Sequence, residues 1–423
     1  MLISVNHATG GCMDETKNHG RSVNQAREDI LSTVQPISAS EKLNLREALN
    51  RVLAKAIISP LDVPGHTNSA MDGYAVAGAQ LPARGGTSLK IIGTAYAGQP
   101  LHIQPGAGEC IRIMTGAPMP PGTDTVIMQE HVSVLSEQRI NIGANHCQGQ
   151  NVRQAGEDIA RGSQVLASGH TLSAADLGVL ASLGIAEVNL RRRPRVAFFS
   201  TGDELRSIGE PLAEGDIYDS NRYSLYGMLR RLNMDIIDMG VVRDDPVALR
   251  EAFAGASRQV DVVITSGGVS VGEADYIKPV LEELGEINFW KIAMKPGRPL
   301  TFGKLGTSLF FGLPGNPVAV MVAFYQFVQP ALQYLASGRQ ETPLCFNARC
   351  TQPLRKPPGR TEFLRGILKP DGKGDWRVCS ASRQGSGILS SMSQANCFIV
   401  LTEEQRDIQA DDPVLVQPFA GLI

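Results

Sequence analysis

Between residues 196 and 317, carboxylates, cations and glycine-rich turns recur where short apolar runs end. The run 196–200 ends in Thr201-Gly202-Asp203-Glu204-Leu205, and the run 235–242 in Arg243-Asp244-Asp245-Pro246. The run 260–265 ends in Ser266-Gly267-Gly268-Val269-Ser270-Val271-Gly272, followed by Glu273-Ala274-Asp275. Lys291 precedes Lys295-Pro296-Gly297-Arg298-Pro299, and the run 308–312 ends in Leu313-Pro314-Gly315-Asn316-Pro317. Gly267 and Gly268 let backbone N–H groups approach a phosphate closely. Asp244 and Asp275 suit Mg²⁺, which takes one or two carboxylates plus substrate oxygens. Lys295 and Arg298 supply charge-assisted donors to an oxyanion. Together they point to metal-assisted phosphoanhydride chemistry. Each loop alone reads as a turn or a helix cap. Their convergence on one sheet edge is what favours a site. No Walker loop and no G-x-G-x-x-G with an acid twenty residues on is present, so neither a P-loop ATPase nor an obvious NAD enzyme is indicated.

The elements that must position these loops alternate. Strands over 196–200, 235–242, 260–265, 287–293 and 308–312 are interleaved with helices over 222–232, from Pro246, over 276–284 and over 318–336. Such βαβ repetition implies a doubly wound parallel sheet with its ligand beyond the strands' carboxyl ends. Residues 21–59 read as helical, from Ala26, Ile30, Leu31 and Val34 and again from Leu45, Leu49, Val52 and Leu53. Ser173 and Asp176 form a capping-box pattern ahead of a second helix. Residues 60–150 and 344–423 mix short apolar runs with Pro and Gly, the texture of β-rich domains, the latter read as a small barrel. The expected organisation is a polar tail (1–20), a helical linker domain (21–59 with 151–189), a β-rich insertion domain (60–150), an α/β domain (190–343) and a small C-terminal β-barrel (344–423).

Composition narrows the function classes. The 423 residues carry 40 Lys plus Arg against 42 Asp plus Glu, so the chain lacks the basic footprint of a nucleic-acid binder. Aromatics at 5% disfavour a stacking platform for single strands. Seven cysteines, none in a C-x-x-C pair, fit a reducing cytoplasm better than a disulfide scaffold or a zinc knuckle. The first twenty residues lack the pattern of a signal peptide, and no apolar stretch is expected to span a membrane.

Ten strings, in order, add a more specific signal. They are SPLDVPGHTNSAMDGYAV, RIMTGAPMPPGTDTVIMQE, GEDI, STGDEL, YDSNR, RDDP, TSGGVSVGEADY, KPGRP, GLPGNPV and PGRTEFLRG. In this order they resemble the MoeA family of molybdopterin molybdenumtransferases, from about residue 24 to about residue 420. The resemblance implies insertion of molybdate into adenylyl-molybdopterin with release of AMP. It also implies Mg²⁺, an elongated four-domain fold and a homodimer with its active site between subunits. The molybdopterin adenylyltransferase and molybdoenzymes are the protein partners it points to. Motif by motif, it assigns catalytic positions to Asp72, Thr115, Asp158, Glu204, Lys291 and Lys295. Substrate-binding positions fall on Ser266, Gly267, Gly268, Ser270, Lys295, Arg298, Pro314, Pro317, Arg365 and Ser386. Asp244 and Asp275 are the metal positions. Two residues depart from the family pattern: Arg298 where lysine is frequent, and Ala319 where serine is. A non-catalytic molybdopterin carrier and a tungstate-preferring insertase are the alternatives that the sequence leaves open.

Overall fold

The computed structural model describes residues 20–267, 276–381 and 383–419. Two compact units emerge: Ser40–Leu190, and Met1–Ala39 joined with Arg191–Ile423.

The larger unit is built on a six-stranded sheet. Its helix α1 (Val23–Thr33) opens with a full capping box, in which Ser22 accepts from the Gln25 N–H and Gln25 accepts from the Ser22 N–H. Strands β1 (Arg195–Thr201), β2 (Asp235–Val242), β3 (Val262–Ser266), β4 (Gly285–Lys291), β6 (Pro299–Leu305) and β7 (Ser308–Leu313) form the sheet in the order β2-β1-β3-β7-β6-β4. The short β5 (Met294–Lys295) lies between β4 and β6 but pairs elsewhere. Helices α2 (Ser220–Arg231), α3 (Pro246–Ser257), α4 (Ile277–Leu284) and α5 (Pro317–Ser337) complete the α/β layers, with a π turn over Phe324–Val328 inside α5. Successive residues of β1 feed opposite faces. Val196 and Phe198 join the cluster containing α1 and α5, whereas Ala197 and Phe199 join that of α3 and α4. Burial on both faces is why these strands read as continuous apolar runs.

The sheet is mixed. β1, β2, β3 and β7 are mutually parallel, but β6 is antiparallel to both β7 and β4. The sequence expectation of a purely parallel sheet overlooked β6. Its segment follows a Pro-Gly-Arg-Pro turn and joins β7 by a two-residue hairpin, Gly306-Thr307, with Leu305 facing Ser308. Because β4 runs parallel to β7, its carboxyl end still lies with the others, so the carboxyl ends of β1, β2, β3, β4 and β7 share one edge.

The terminal segment forms a closed barrel. Strands β8 (Phe346–Cys350), β9 (Thr361–Pro370), β10 (Trp376–Ser380), β11 (Cys397–Leu401) and β12 (Pro413–Pro418) pair in the ring β9-β10-β8-β12-β11-β9. β5 is added to it, parallel to β9, with Lys295 opposite Glu362.

In the smaller unit, a six-stranded sheet spans Gly73–Val76 to Arg139–Gly143 and packs apolar residues on both faces. Ser173 and Asp176 form the expected capping box of Ala174–Ser182. The second half of the helical reading of 21–59 fails. From residue 40 on, that stretch holds two strands, Ser40–Asn44 and Ile57–Ile58, and a single turn, Leu45–Glu47, with Asn50 at φ 59°. The Asn50 and Leu53 N–H groups donate to the carbonyls of Leu172 and His170, so distant pairing overrides the local periodicity. Helix α1 also belongs with the α/β unit, through Val23, Ala26 and Ile30, and not with residues 151–189. Among the described residues, one helix, Pro317–Ser337, is by length and composition long and apolar enough to cross a membrane. Yet 78% of its apolar window is buried within the protein.

Candidate active site

A cleft of about 560 Å³ opens at the carboxyl edge of the α/β sheet, where the barrel loop 384–386 meets it. Seven residues singled out by sequence line it: Glu204, Asp244, Gly267, Lys295, Arg298, Pro314 and Ser386. Ala319 lines it too. Its lining brings together the cations Lys295, Arg298 and Arg360 and the carboxylates of Glu204 and Asp244.

Local chemistry fixes the lining. Asp244 accepts from the Thr201 hydroxyl, tying the end of β2 to the end of β1. Gly267 has φ +95°, and a Cβ there would lie 2.4 Å from the Thr201 carbonyl oxygen, so only glycine fits. Its N–H donates to Leu313 O at 3.2 Å, closing the floor onto β7. The basic loop is held at its neck by Ile292 N–H donating to Arg298 O at 2.7 Å. Ser386 is placed by its carbonyl, which accepts from the Val318 N–H at 3.0 Å in the first turn of α5.

Other expected positions lie outside the cleft. The Ser266 hydroxyl is buried and meets Ser200 Oγ at 3.0 Å, and Ser200 in turn donates to Asp219. Pro317 is the first residue of α5, where its missing N–H costs nothing. Lys291 is exposed, and its carbonyl accepts from the Arg21 N–H. The expected cleft-facing Arg365 is corrected by its burial. Fully buried, it donates through Nε to Ser391 Oγ at 3.1 Å and through Nη2 to the carbonyls of Gly385 and Arg383. Burial pushes its pKa down to about 10. It holds the loop that carries Ser386 and is not among the residues that line the cleft. Gly268, Ser270 and Asp275 lie outside the described residues.

In the smaller unit, Asp72 and Thr115, 43 residues apart, are in direct contact. Asp72 Oδ1 accepts from the Thr115 N–H and from its hydroxyl, both at 2.7 Å. These two bonds, the backbone one foremost, hold the exposed carboxyl below its usual pKa. Asp158 is exposed, and its N–H donates to Val63 O.

Sequence reasoning missed Arg360 and Gln384, which also line the cleft. Arg360 lies inside the quoted string PGRTEFLRG, from which only Arg365 is singled out. Gln384 is held by the Arg365 backbone, accepting from its N–H at 2.9 Å and donating to its carbonyl at 3.0 Å. Only the folded barrel brings it to the cleft. Among the described residues, no three His, Cys, Asp or Glu side chains form a metal cluster, and no cysteine lines the cleft.

Three family models match the chain in series: the MoeA N-terminal region (domain I and II) over 21–184, a probable molybdopterin binding domain over 197–334, and the MoeA C-terminal region (domain IV) over 347–419. A molybdopterin molybdenumtransferase of Haemophilus influenzae is 44% identical over 403 residues, covering 95% of this chain and 99% of that one. The chain belongs to the MoeA family. A second MoeA-like relative, the molybdopterin molybdenumtransferase of Nostoc, is 38% identical over 392 residues, covering 89% of this chain and 88% of its own length. Among solved structures, a molybdopterin biosynthesis MoeA protein from Pyrococcus horikoshii matches with TM-score 0.83 and 29% identity, covering 94% of this chain and all of that one. The cleft described above lies within the part of the MoeA chain formed by the second and third of these models.

Proposed function

We propose that this chain is a molybdopterin molybdenumtransferase, inserting molybdate into adenylylated molybdopterin and releasing AMP. The observation that carries the reading is the cleft itself, whose single lining combines Lys295, Arg298 and Arg360 with Glu204, Asp244 and several glycines. A tetrahedral dianion needs several convergent donors, and Lys295, Arg298 and the Ser386 hydroxyl supply them. Arg360 adds a further cation to the same lining. The backbone at Gly267 leaves room for a phosphate to approach. Catalysis of this kind is mostly positioning and charge stabilisation.

Mg²⁺ is tested by the donor set. Asp244 lines the cleft, its carboxylate accepting from the Thr201 hydroxyl, and Glu204 lines the cleft too. Mg²⁺ takes one or two carboxylates with substrate oxygens, so the residues fit, with Asp244 the holder and Asp275 the second expected ligand. When bound, the ion supplies charge neutralisation to the phosphoanhydride. Asp72, Thr115 and Asp158 keep the catalytic roles that the family resemblance implies, supported by the pairing of Asp72 with Thr115.

A homodimer is part of the same reading. Exposed Ile208, Leu212, Ile217, Tyr218, Tyr223 and Tyr226 gather within one stretch of the α/β unit, an apolar concentration that suits a second copy. Cytoplasmic residence fits the free thiols of the six described cysteines.

The deciding experiment is AMP release from adenylyl-molybdopterin with Mg²⁺, with and without molybdate. Molybdate-dependent release is expected, and its loss in Lys295→Ala. Tight binding without release would make the chain a carrier.

A further inference from the structure

Glu362 is an unusual residue to find inside a small barrel. It is 2% exposed, on β9, in an environment where a carboxylate needs compensation. The strand pairing supplies one partner. β5 lies parallel to β9 with Lys295 opposite Glu362, and Lys295 Nζ donates to Glu362 Oε2 at 3.4 Å. Lys295 itself is half-exposed and lines the cleft, so the pair reaches from the barrel interior to the substrate wall.

A second cation stands on the inner side. Lys356 is 1% exposed, and its ammonium donates to the Pro357 carbonyl at 2.9 Å. Burial pushes the Lys356 pKa down, and the Glu362 charge opposes that shift. Arg360 and Lys295 also act on Lys356 to lower it, and Glu403 to raise it. Glu362 therefore lies among cations of which one, Lys356, cannot leave, and another, Lys295, ends in the cleft.

We infer that Glu362 is a positioning residue for the Lys295 ammonium, anchoring it at the cleft wall for oxyanion binding. A lysine on a free four-carbon stem samples many rotamers, and a point charge that wanders is a poor donor to a tetrahedral oxyanion. An anchor on an immobile barrel strand removes that freedom before substrate arrives. Lys356 completes the device by placing a second, buried positive charge near the carboxylate without competing for the cleft. The inference rests on the proposed function, in which Lys295 binds the oxyanion.

The test uses the full chain with Glu362→Gln, Lys295→Met and the two combined. The first readout needs no activity: competitive acetylation of lysines, quantified by mass spectrometry. Removing the carboxylate removes the acceptor that holds the amine, so Lys295 is expected to react about five-fold faster in Glu362→Gln. An unchanged Lys295 rate overturns the inference. The second readout is molybdate affinity by calorimetry together with the KM and kcat of AMP release. Expected is a loss of about ten-fold or more in Glu362→Gln, with the combined variant no worse than Lys295→Met alone. Losses that multiply instead overturn the inference, because Glu362 would then act independently of Lys295. Faster acetylation with molybdate affinity untouched in both single variants sinks the oxyanion role of Lys295, while the anchoring by Glu362 stands. Should Glu362→Gln fold poorly with Lys356 left uncompensated, Glu362→Gln with Lys356→Met removes both buried charges, and the same readouts apply.

Discussion

Arg365 offers the sharpest separation between a group that touches substrate and one that supports the touching groups. Replacing it with methionine keeps the apolar stem and deletes the guanidinium. Three hydrogen bonds from a charged donor are lost, to Ser391 Oγ, Gly385 O and Arg383 O. At about 2 kcal/mol each they sum to roughly 6 kcal/mol. Against this stands the burial cost of the cation. A pKa brought down to about 10 from 12.5 corresponds to about 3 kcal/mol of disfavoured charge. The net expectation is destabilisation by about 3 kcal/mol, felt in the barrel. Urea unfolding can localise it, because Trp376 lies on the barrel strand β10 and Trp290 on the sheet strand β4. In a Trp290→Phe background the Trp376 signal should shift to lower urea in Arg365→Met. Molybdate affinity should fall only in proportion to the displacement of Ser386. Undiminished barrel stability with a steep loss of molybdate affinity would refute the reasoning and return Arg365 to the cleft.

Three further outcomes follow from the geometry. Gly267→Ala puts a Cβ against the Thr201 carbonyl in a left-handed conformation, and should cost at least about 2 kcal/mol and weaken binding of the adenylylated substrate, read by chemical denaturation and calorimetry. Asp261, buried enough for its pKa to rise, is instead held low by the Arg192 guanidinium and the Arg195 N–H. A depressed folded pKa gives stability that is full above the unfolded value and lost as pH falls through the folded one. Asp261→Asn should therefore cost about 2 kcal/mol at neutral pH, with the gap to the parent protein closing in acid below about pH 4; a gap constant with pH counts against it. Thr115→Val should raise the Asp72 pKa while the backbone hydrogen bond remains, visible in a carboxyl carbon titration by NMR; an unmoved midpoint denies the hydroxyl any part.

Local signals in the sequence carried the α/β domain well. Strands buried on both faces read as apolar runs, and the Pro246 helix start and the Ser173 capping box appear where their residue types demand. What failed depended on contacts far along the chain. Leu49 and Leu53 have helical spacing, but pairing with residues 170–172 decides their conformation. Strand β6 was hidden because its neighbours on both sides are antiparallel partners adjacent in sequence, which βαβ counting does not anticipate. At the site, residues on sheet loops were found by type and position. Gln384 and Arg360, which line the cleft, and Glu362, which meets Lys295 from inside the barrel, were not, because the barrel must close before they take these places. Arg365 matched a motif, yet only its burial separates holding a loop from meeting an anion.

Separate family models cover the α/β segment and the barrel, which suggests parts that can be exchanged. Strand β5 argues otherwise. Two residues from inside the α/β segment are stitched into the barrel's sheet, and one of them is Lys295. A chimera joined at the apparent boundary near residue 343 would inherit a foreign barrel edge against β5, and with it a displaced lysine. Grafting between relatives should therefore exchange β5 and β9 as a matched pair, because inheritance at this cleft runs along strand partnerships and not along the linear boundaries of the modules.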